Sequence, residues 1–178
     1  MGHFCLNCGT PLGTRLVEGR ELEACEACGF VLWHDPKVVT LIVVEDSAGD
    51  LVLGRRAIEP GYGLWCLPGG FVNDDEPPAQ SAIRECEEEI GAQVVITGLL
   101  GVYHIARDDA ASMVAIGYRA RLREGEVPSA GPEMLEVGTF APSRVPDLVF
   151  PSHQQALLDW FSAGEQSPYR VSPYTEEP

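Results

Sequence analysis

A chain of 178 residues with 45% apolar content has room for one compact domain of ordinary size and a small appended module. The net charge of −15 leaves no Lys/Arg footprint for a phosphate backbone, which argues against DNA or RNA as partner. It suits a protein that collects divalent cations, and equally one that is merely soluble. No stretch reaches the roughly 18 consecutive apolar residues of a membrane helix. The start "MGHFCLNCGT" has neither a basic beginning nor an apolar core, so the expected setting is the cytoplasm.

In chain order, the first signal is a pair of knuckles, "CLNCG" with Cys5 and Cys8 and "CEACG" with Cys25 and Cys28. Two C-x-x-C-G units so spaced fit a four-cysteine zinc site, because the two-residue gap turns both thiolates of a knuckle toward one tetrahedral ion. The glycine after each pair permits the backbone conformation that aims amides at the sulfurs. Between the knuckles, "TPLGTRLVEGRELEA" alternates around a Gly-Arg turn and predicts a β-hairpin. Residues 1–36 are therefore expected to form a zinc ribbon, folded by its metal because so small a module buries too little apolar surface. Cys66 and Cys86 belong to no motif and are expected as small buried hydrophobes.

The body follows with "VVTLIVV", a buried strand, and its partner "LVLGRR", joined by the "DSAGD" turn. In the turn-rich "IEPGYGLWCLPGGF", Trp65 and Leu67 are the expected strand positions. After an acidic helix come strands in "QVVITGLLGVYHIA" and "SMVAIGYRARL", separated by the polar "RDDAA", and a short strand in "EMLEVGTFAP". "SHQQALLDWFSAG" predicts a closing helix with Ser152 as N-cap and Ala156, Leu157, Trp160 and Phe161 as its apolar stripe. Residues 165–178 are expected as a flexible tail. His104 and His153 read as satisfied polar residues. Strands outnumber helices, so the body is mixed α/β.

The acidic helix is the most informative stretch, "GGFVNDDEPPAQSAIRECEEEIGA". Pro77 and Pro78 suit only a first turn, with Asp75 or Glu76 as the expected cap. Ala79, Ala82, Ile83, Cys86 and Ile90 share one face. Glu85, Glu88 and Glu89, three and four apart, share another arc, while Glu87 points away. Gly91 ends the helix. A solvated acidic face is the bland explanation. Convergent carboxylates for a hard cation such as Mg²⁺ or Mn²⁺, with a diphosphate completing the shell, is the sharper one.

This stretch resembles the Nudix box, G-x5-E-x7-R-E-U-x-E-E-x-G-U with U a bulky apolar residue: Gly70, Glu76, Arg84-Glu85, Cys86, Glu88-Glu89, Gly91 and Ala92 occupy its positions. Cys86 and Ala92 are lighter than usual at the apolar slots. The resemblance implies a Nudix fold over residues 37–164, a mixed sheet between helices, preceded by the ribbon as in the zinc-ribbon branch of that superfamily. It implies a metal-dependent pyrophosphatase that cleaves a nucleoside diphosphate linked to another moiety. Glu85, Glu88 and Glu89 would carry Mg²⁺ or Mn²⁺, Glu85 or a nearby acid would orient or deprotonate water, and Arg84 would hold Glu76. Gly70, Glu76 and Gly91 would support the box. A further acid from a later strand would be Glu136, with Glu133 as the other choice.

The Ser-Gln-Pro-Trp-Pro-Phe-Pro signature of the family's NADH pyrophosphatases is missing, "YHIARDDAAS" standing in its region, and no proline lies between Pro78 and Pro128 where ADP-ribose pyrophosphatases tend to place one. The order "GPEMLEVGTFAPSRVPDLVFPSH" resembles a ribbon-bearing branch with FAD and ADP-ribose pyrophosphatases. The expected substrate is a dinucleotide or ADP-ribose, with Tyr62, Trp65, Phe71 and Tyr103 as candidates for stacking a base. A homodimer is compatible with the family. The competing class is an inert ribbon-bearing binding or regulatory module, which the loss of a box acid would signal, and none is lost.

Overall fold

The computed structural model describes residues 3–107 and 111–163. The chain divides into two compact units, Met1–Pro36 and Lys37–Pro178. The expected tail lies outside the described residues, as does the centre of the "RDDAA" segment.

In the first unit, β1 (Gly13–Val17) and β2 (Arg20–Ala24) pair antiparallel in full register. The turn between them is Glu18-Gly19 and not Gly-Arg: both residues have positive φ, 51° and 80°. Two successive left-handed residues give the twist that closes a tight hairpin. The two knuckles repeat one geometry. Gly9 and Gly29 have φ of 71° and 80°. Their amides donate to the carbonyls of Cys5 and Cys25 at 2.9 and 3.0 Å. A side chain at either position would meet no neighbour, so the glycines serve the turn and not the packing.

The second unit is built on a six-stranded mixed sheet. Its strands are β3 (Lys37–Glu45), β4 (Leu51–Arg56), β5 (Trp65–Cys66), β6 (Val94–Ile105), β7 (Met113–Leu122) and β8 (Met134–Phe140). The order is β5-β4-β3-β7-β6, with β8 also on β4. Among these strands β3 and β7 are the parallel pair, aligned from Lys37 beside Met113 to Glu45 beside Arg121. The run Thr40–Val44 is buried throughout, as a central strand covered on both faces requires. Ile42 and Val44 pack against Ala82, Cys86 and Ile90 of helix α1 (Pro78–Ile90). Leu41 and Val43 pack on the other face with Ala156 of α2 (Pro151–Ala163). Cys66 and Cys86 are buried as small hydrophobes.

Three local expectations are corrected. Helix α1 is capped by neither Asp75 nor Glu76: Pro77 holds the cap position at φ −65°, ψ 146° with no side-chain cap bond. A residue before proline is driven to extended backbone, so Pro78 fixes the start. Helix α2 begins at Pro151, one residue ahead of Ser152, proline being pre-shaped for a first helical turn. Leu67 lies past the end of β5, and its amide bonds His153 instead of a neighbouring strand.

The far end of α1 is held by a returning loop. Ser129 N donates to Ile90 O at 2.8 Å and Gly131 N to Glu89 O at 3.0 Å, which satisfies two carbonyls that a helix end leaves open. Gly91 closes the helix in the left-handed region at φ 60°. A Cβ at Gly131 would overlap the carbonyl oxygen of Glu88. Gly131→Ala is therefore expected to destabilise the protein by about 1–3 kcal/mol through forced displacement of this loop. Urea unfolding checks it, as a lowered midpoint at unchanged slope.

Candidate metal-dependent active site

The site forms where the glycine loop after β5 crosses the C-terminal half of α1. The loop is stitched to β3: Ile42 N donates to Pro68 O at 2.9 Å, Thr40 N to Gly70 O at 2.8 Å, and Val72 N to Val38 O at 3.1 Å. At Gly69, φ is 153°, and a Cβ there would overlap the Thr40 carbonyl oxygen, so only glycine lets the two backbones come this close. The Gly69 amide is thereby aimed at the helix and donates to Glu89 Oε2 at 2.8 Å. A Cβ on Gly70 would stand 2.5 Å from the Glu85 carboxylate carbon, so this glycine leaves the carboxylate its room.

The acids of the helix have distinct environments. Glu89 is buried, at 5% exposure, although it is a carboxylate. Burial pushes its pKa up to about 8, against the pull of the Gly69 amide, and the Glu85 charge adds to the rise. Glu85 is also shifted upward by burial. Glu88 and Glu87 are exposed.

Arg84 ties these acids together. Its Nη2 and Nε donate to the two oxygens of Glu76 at 2.6 and 3.0 Å, a bidentate pair. Its Nη1 donates to Glu85 at 2.7 Å and Glu88 at 3.0 Å, and Nη2 also reaches Phe71 O at 3.1 Å. Hydrogen bonding by Arg84 holds the Glu76 carboxyl down to about 2. Glu76 also accepts from Asn73 N at 3.0 Å, so the charge pair fixes the loop leading into the helix.

Of the two later acids, Glu136 faces Arg55 across β4 and β8 and pairs with it at 3.2 Å. Glu133 precedes β8, and its charge is felt by both Glu85 and Glu89, raising each. Ala57 N donates to Glu133 O at 2.7 Å. His153 accepts from Leu67 N at 3.1 Å through Nδ1, and burial, with the Arg56 charge, pushes its pKa down to about 3. It is a neutral, satisfied histidine. Sequence reasoning passed over Arg56 and the capping loop at 129–131. The one available signal was a second arginine at the end of an apolar strand.

Of the four stacking candidates, Trp65 meets Phe140 edge to face at 4.9 Å. Tyr103 donates to Asp159 at 2.9 Å and lies against Gly101 and Gly117. Both are engaged in packing. Tyr62 and Phe71 are half exposed, the latter with Lys37 Nζ 5.2 Å above its ring.

The donor sets suit two different ions. Glu85, Glu88 and Glu89 carry only hard oxygens, the kind Mg²⁺ or Mn²⁺ takes, but Arg84 holds the first two, and among the described residues only the four cysteines stand close enough together to hold an ion. In the first unit the four Sγ atoms of Cys5, Cys8, Cys25 and Cys28 lie within 4.8 Å of one another. Cys5–Cys28 and Cys8–Cys25 are 3.5 Å apart, near the roughly 3.8 Å edge of a tetrahedron with Zn–S bonds of about 2.3 Å. A hydrogen bond with Thr10 pulls the Cys8 thiol down to about 6 while Cys28, facing Cys5, is pushed up to about 12, so without an ion the four sulfurs share protons instead of all being thiolates.

The profile of the NUDIX domain matches residues 35–161. An ADP-ribose pyrophosphatase of Methanocaldococcus jannaschii is 28% identical over 159 residues, 88% of this chain and 89% of the relative. An NAD-capped RNA hydrolase of Pseudomonas aeruginosa is 26% identical over 82% of this chain and only 50% of its own length. The crystal structure of a NUDIX hydrolase from Nitrosomonas europaea superposes with a TM-score of 0.79 at 31% identity, covering 90% of each chain.

Two outcomes follow from the donor sets. A carboxyl raised from 4.5 to about 8 on folding stabilises the fold fully below pH 4.5 and loses that contribution as pH rises through about 8. In chelator, the melting temperature should thus fall by several degrees between about pH 4.5 and 8 and then level off, and the gain from added Mn²⁺ should grow over the same window. Glu89→Gln keeps an oxygen for the Gly69 amide and should flatten both trends in a thermal-shift series. Separately, Cys25→Ser should lose the zinc found by elemental analysis. It should also strip hydrogen-exchange protection from 13–24 while 37–45 stay protected.

Proposed function

The chain belongs to the NUDIX family, and on that premise we propose that it cleaves ADP-ribose, or a dinucleotide such as NADH or FAD, at the diphosphate. The products are AMP and a second phosphorylated compound. The class is firm: it is a NUDIX hydrolase, acting on nucleoside diphosphates joined to another group. The choice of ADP-ribose is supported by the M. jannaschii relative, which matches over most of both chains. NADH is the weaker choice, since "YHIARDDAAS" stands where NADH pyrophosphatases carry their signature.

The observation that carries the reading is the buried Glu89 carboxyl, held by the Gly69 amide beside Glu85, whose charged form burial disfavours until a cation is at hand. A protein keeps such a group where a cation or a proton is to be handled. Glu85, Glu88 and Glu89 would hold Mg²⁺ or Mn²⁺, which would supply neutralisation of phosphate charge and a lowered pKa for water. The water oxygen bonds to one phosphorus, the bridging oxygen leaves with the other, and the water proton goes to a carboxylate. Glu85, whose carboxyl burial shifts upward against the pull of Arg84, is the proposed group that orients or deprotonates that water. Arg84 serves by position, since Glu76, Glu85 and Glu88 occupy its donors. Glu133 is favoured as the additional acid because its charge reaches Glu85 and Glu89; Glu136 would first have to leave Arg55.

The proposed architecture is a zinc ribbon over 1–36 and the hydrolase domain over 37–164. The proposed setting is the cytoplasm; among the described residues no helix is long and apolar enough to cross a membrane.

The test is release of AMP from ADP-ribose, NADH, NAD, FAD and diadenosine polyphosphates with Mg²⁺ or Mn²⁺. ADP-ribose is expected to be turned over, and Glu85→Gln and Glu89→Gln to lower kcat by about 10²–10⁴-fold with folding intact. Cleavage of none of these compounds by wild type would overturn the substrate assignment.

A further inference from the structure

We infer that the four ribbon sulfurs form a reversible oxidation site, at which a peroxide replaces metal ligation by two bridges across the knuckles, Cys5–Cys28 and Cys8–Cys25. The inference rests on the zinc-ribbon reading of the first unit and not on the diphosphate reading of the second.

The first unit is held together by sulfur. Among residues 3–36 only Cys5, Ala24 and Cys25 are buried, so two of the three residues in its interior are cysteines. The β1–β2 pairing supplies register but little packing, with Leu16 at 70% exposure. A two-stranded hairpin alone is marginal in water. What joins the sulfurs therefore decides whether this unit is folded.

The backbone aims the sulfurs across and not along the knuckles. Each knuckle is closed by its own amides. Cys5 N donates to Thr10 O at 2.8 Å and Gly9 N to Cys5 O at 2.9 Å; Cys25 N donates to Phe30 O at 2.7 Å and Gly29 N to Cys25 O at 3.0 Å. Turned in this way, they bring Cys5 Sγ within 3.5 Å of Cys28 Sγ, and Cys8 Sγ within 3.5 Å of Cys25 Sγ. Each pair joins an exposed sulfur, Cys28 or Cys8, to a buried one, Cys5 or Cys25.

That asymmetry suits a two-step oxidation. The exposed sulfur attacks hydrogen peroxide, the O–O bond breaks, and a sulfenic acid and one water result. The buried sulfur then attacks the sulfenic sulfur: the S–S bond forms, the S–O bond breaks, and the oxygen leaves as a second water with the thiol proton. Two thiols and one peroxide thus become one disulfide and two waters. The thiolate is what ligates metal, so bridging displaces the ion. Bridges across the knuckles enclose the hairpin, whereas a bridge inside one C-x-x-C closes a loop too short to restrain it. The oxidised ribbon accordingly keeps its fold, and in a thiol-reducing compartment such as the proposed cytoplasm, exchange reverses the bridges.

The test treats the zinc-loaded full chain with hydrogen peroxide beside a chromogenic zinc chelator, alkylates the remaining thiols in denaturant, and digests with trypsin. Cleavage after Arg15, Arg20 and Lys37 leaves Cys5 and Cys8 on one peptide and Cys25 and Cys28 on another. Zinc is expected to be released as the four thiols are lost, and the peptides to travel joined until dithiothreitol parts them. Fragment spectra should assign Cys5–Cys28 and Cys8–Cys25, with the buried Cys66 and Cys86 alkylated as free thiols. Hydrogen exchange at 13–24 should stay within about 10-fold of the zinc-loaded rate, and be far faster in chelated, reduced protein. Separate peptides each bridged within its own knuckle would overturn the inference. So would sulfinic or sulfonic acids at Cys8 and Cys28 without bridges, or loss of protection at 13–24 on oxidation. Protein that takes up no zinc would overturn the ribbon reading and this inference together.

Discussion

The site depends on the Arg84 guanidinium more than on any other group. Four glutamates crowd into the five residues from Glu85 to Glu89, and like charges at helical spacing repel. Arg84 neutralises Glu85 and Glu88 with one nitrogen and takes both oxygens of Glu76 with the others. The bond to Glu76 is what links the helix to its approach loop, since Glu76 also accepts from Asn73. One cation thus ties the approach loop to the helix and sets the bearing of two acids. A lysine would match the charge and lose the bidentate fork on which the geometry rests.

The remaining acids stand where stability would not put them. The last turn of a helix is its negative pole, which favours cations, yet this last turn holds no basic residue and carries Glu87, Glu88 and Glu89. One of these is buried as well. The fold offsets part of that cost with backbone: the Gly69 amide on Glu89, and the loop at 129–131 on the open carbonyls of Glu89 and Ile90. Both approaches need residues without a side chain, at Gly69 and Gly131. A helix charged against its own dipole, then propped from outside, is the local conflict expected where function outweighs stability.

Much of this was legible in the sequence because it was local. The spacing of Cys5, Cys8, Cys25 and Cys28, the alternation of the strands and the helical spacing of the glutamates are short-range patterns, and the fold follows them. Misplaced features were those where two local rules compete. Asp75 and Glu76 look like caps, but Pro78 dictates the backbone before it and Arg84 claims the Glu76 carboxylate. Ser152 looks like a cap, but Pro151 starts the helix earlier. Arg56 and Gly131 were invisible for a different reason. Their meaning lies in contacts 30 to 80 residues away along the chain, between β4 and β8 and between α1 and its capping loop, that no periodicity encodes.

The chain carries two donor sets of opposite character, and their separation has a physical logic. Four thiolate donors at tetrahedral spacing favour a soft or borderline ion and leave no open position, as suits a structural site. The glutamate cluster offers only hard oxygens, one of them reluctant to lose its proton. Zinc generally outbinds Mn²⁺ or Mg²⁺ at a given set of ligands, so a lone carboxylate site is exposed to occupation by the wrong ion. Ligand softness is what sorts the ions here: thiolates take zinc far more readily than carboxylates do. A hard cation on the carboxylates would then be the weakly held one, as suits a proposed site that has to take up and release a charged diphosphate with every turnover.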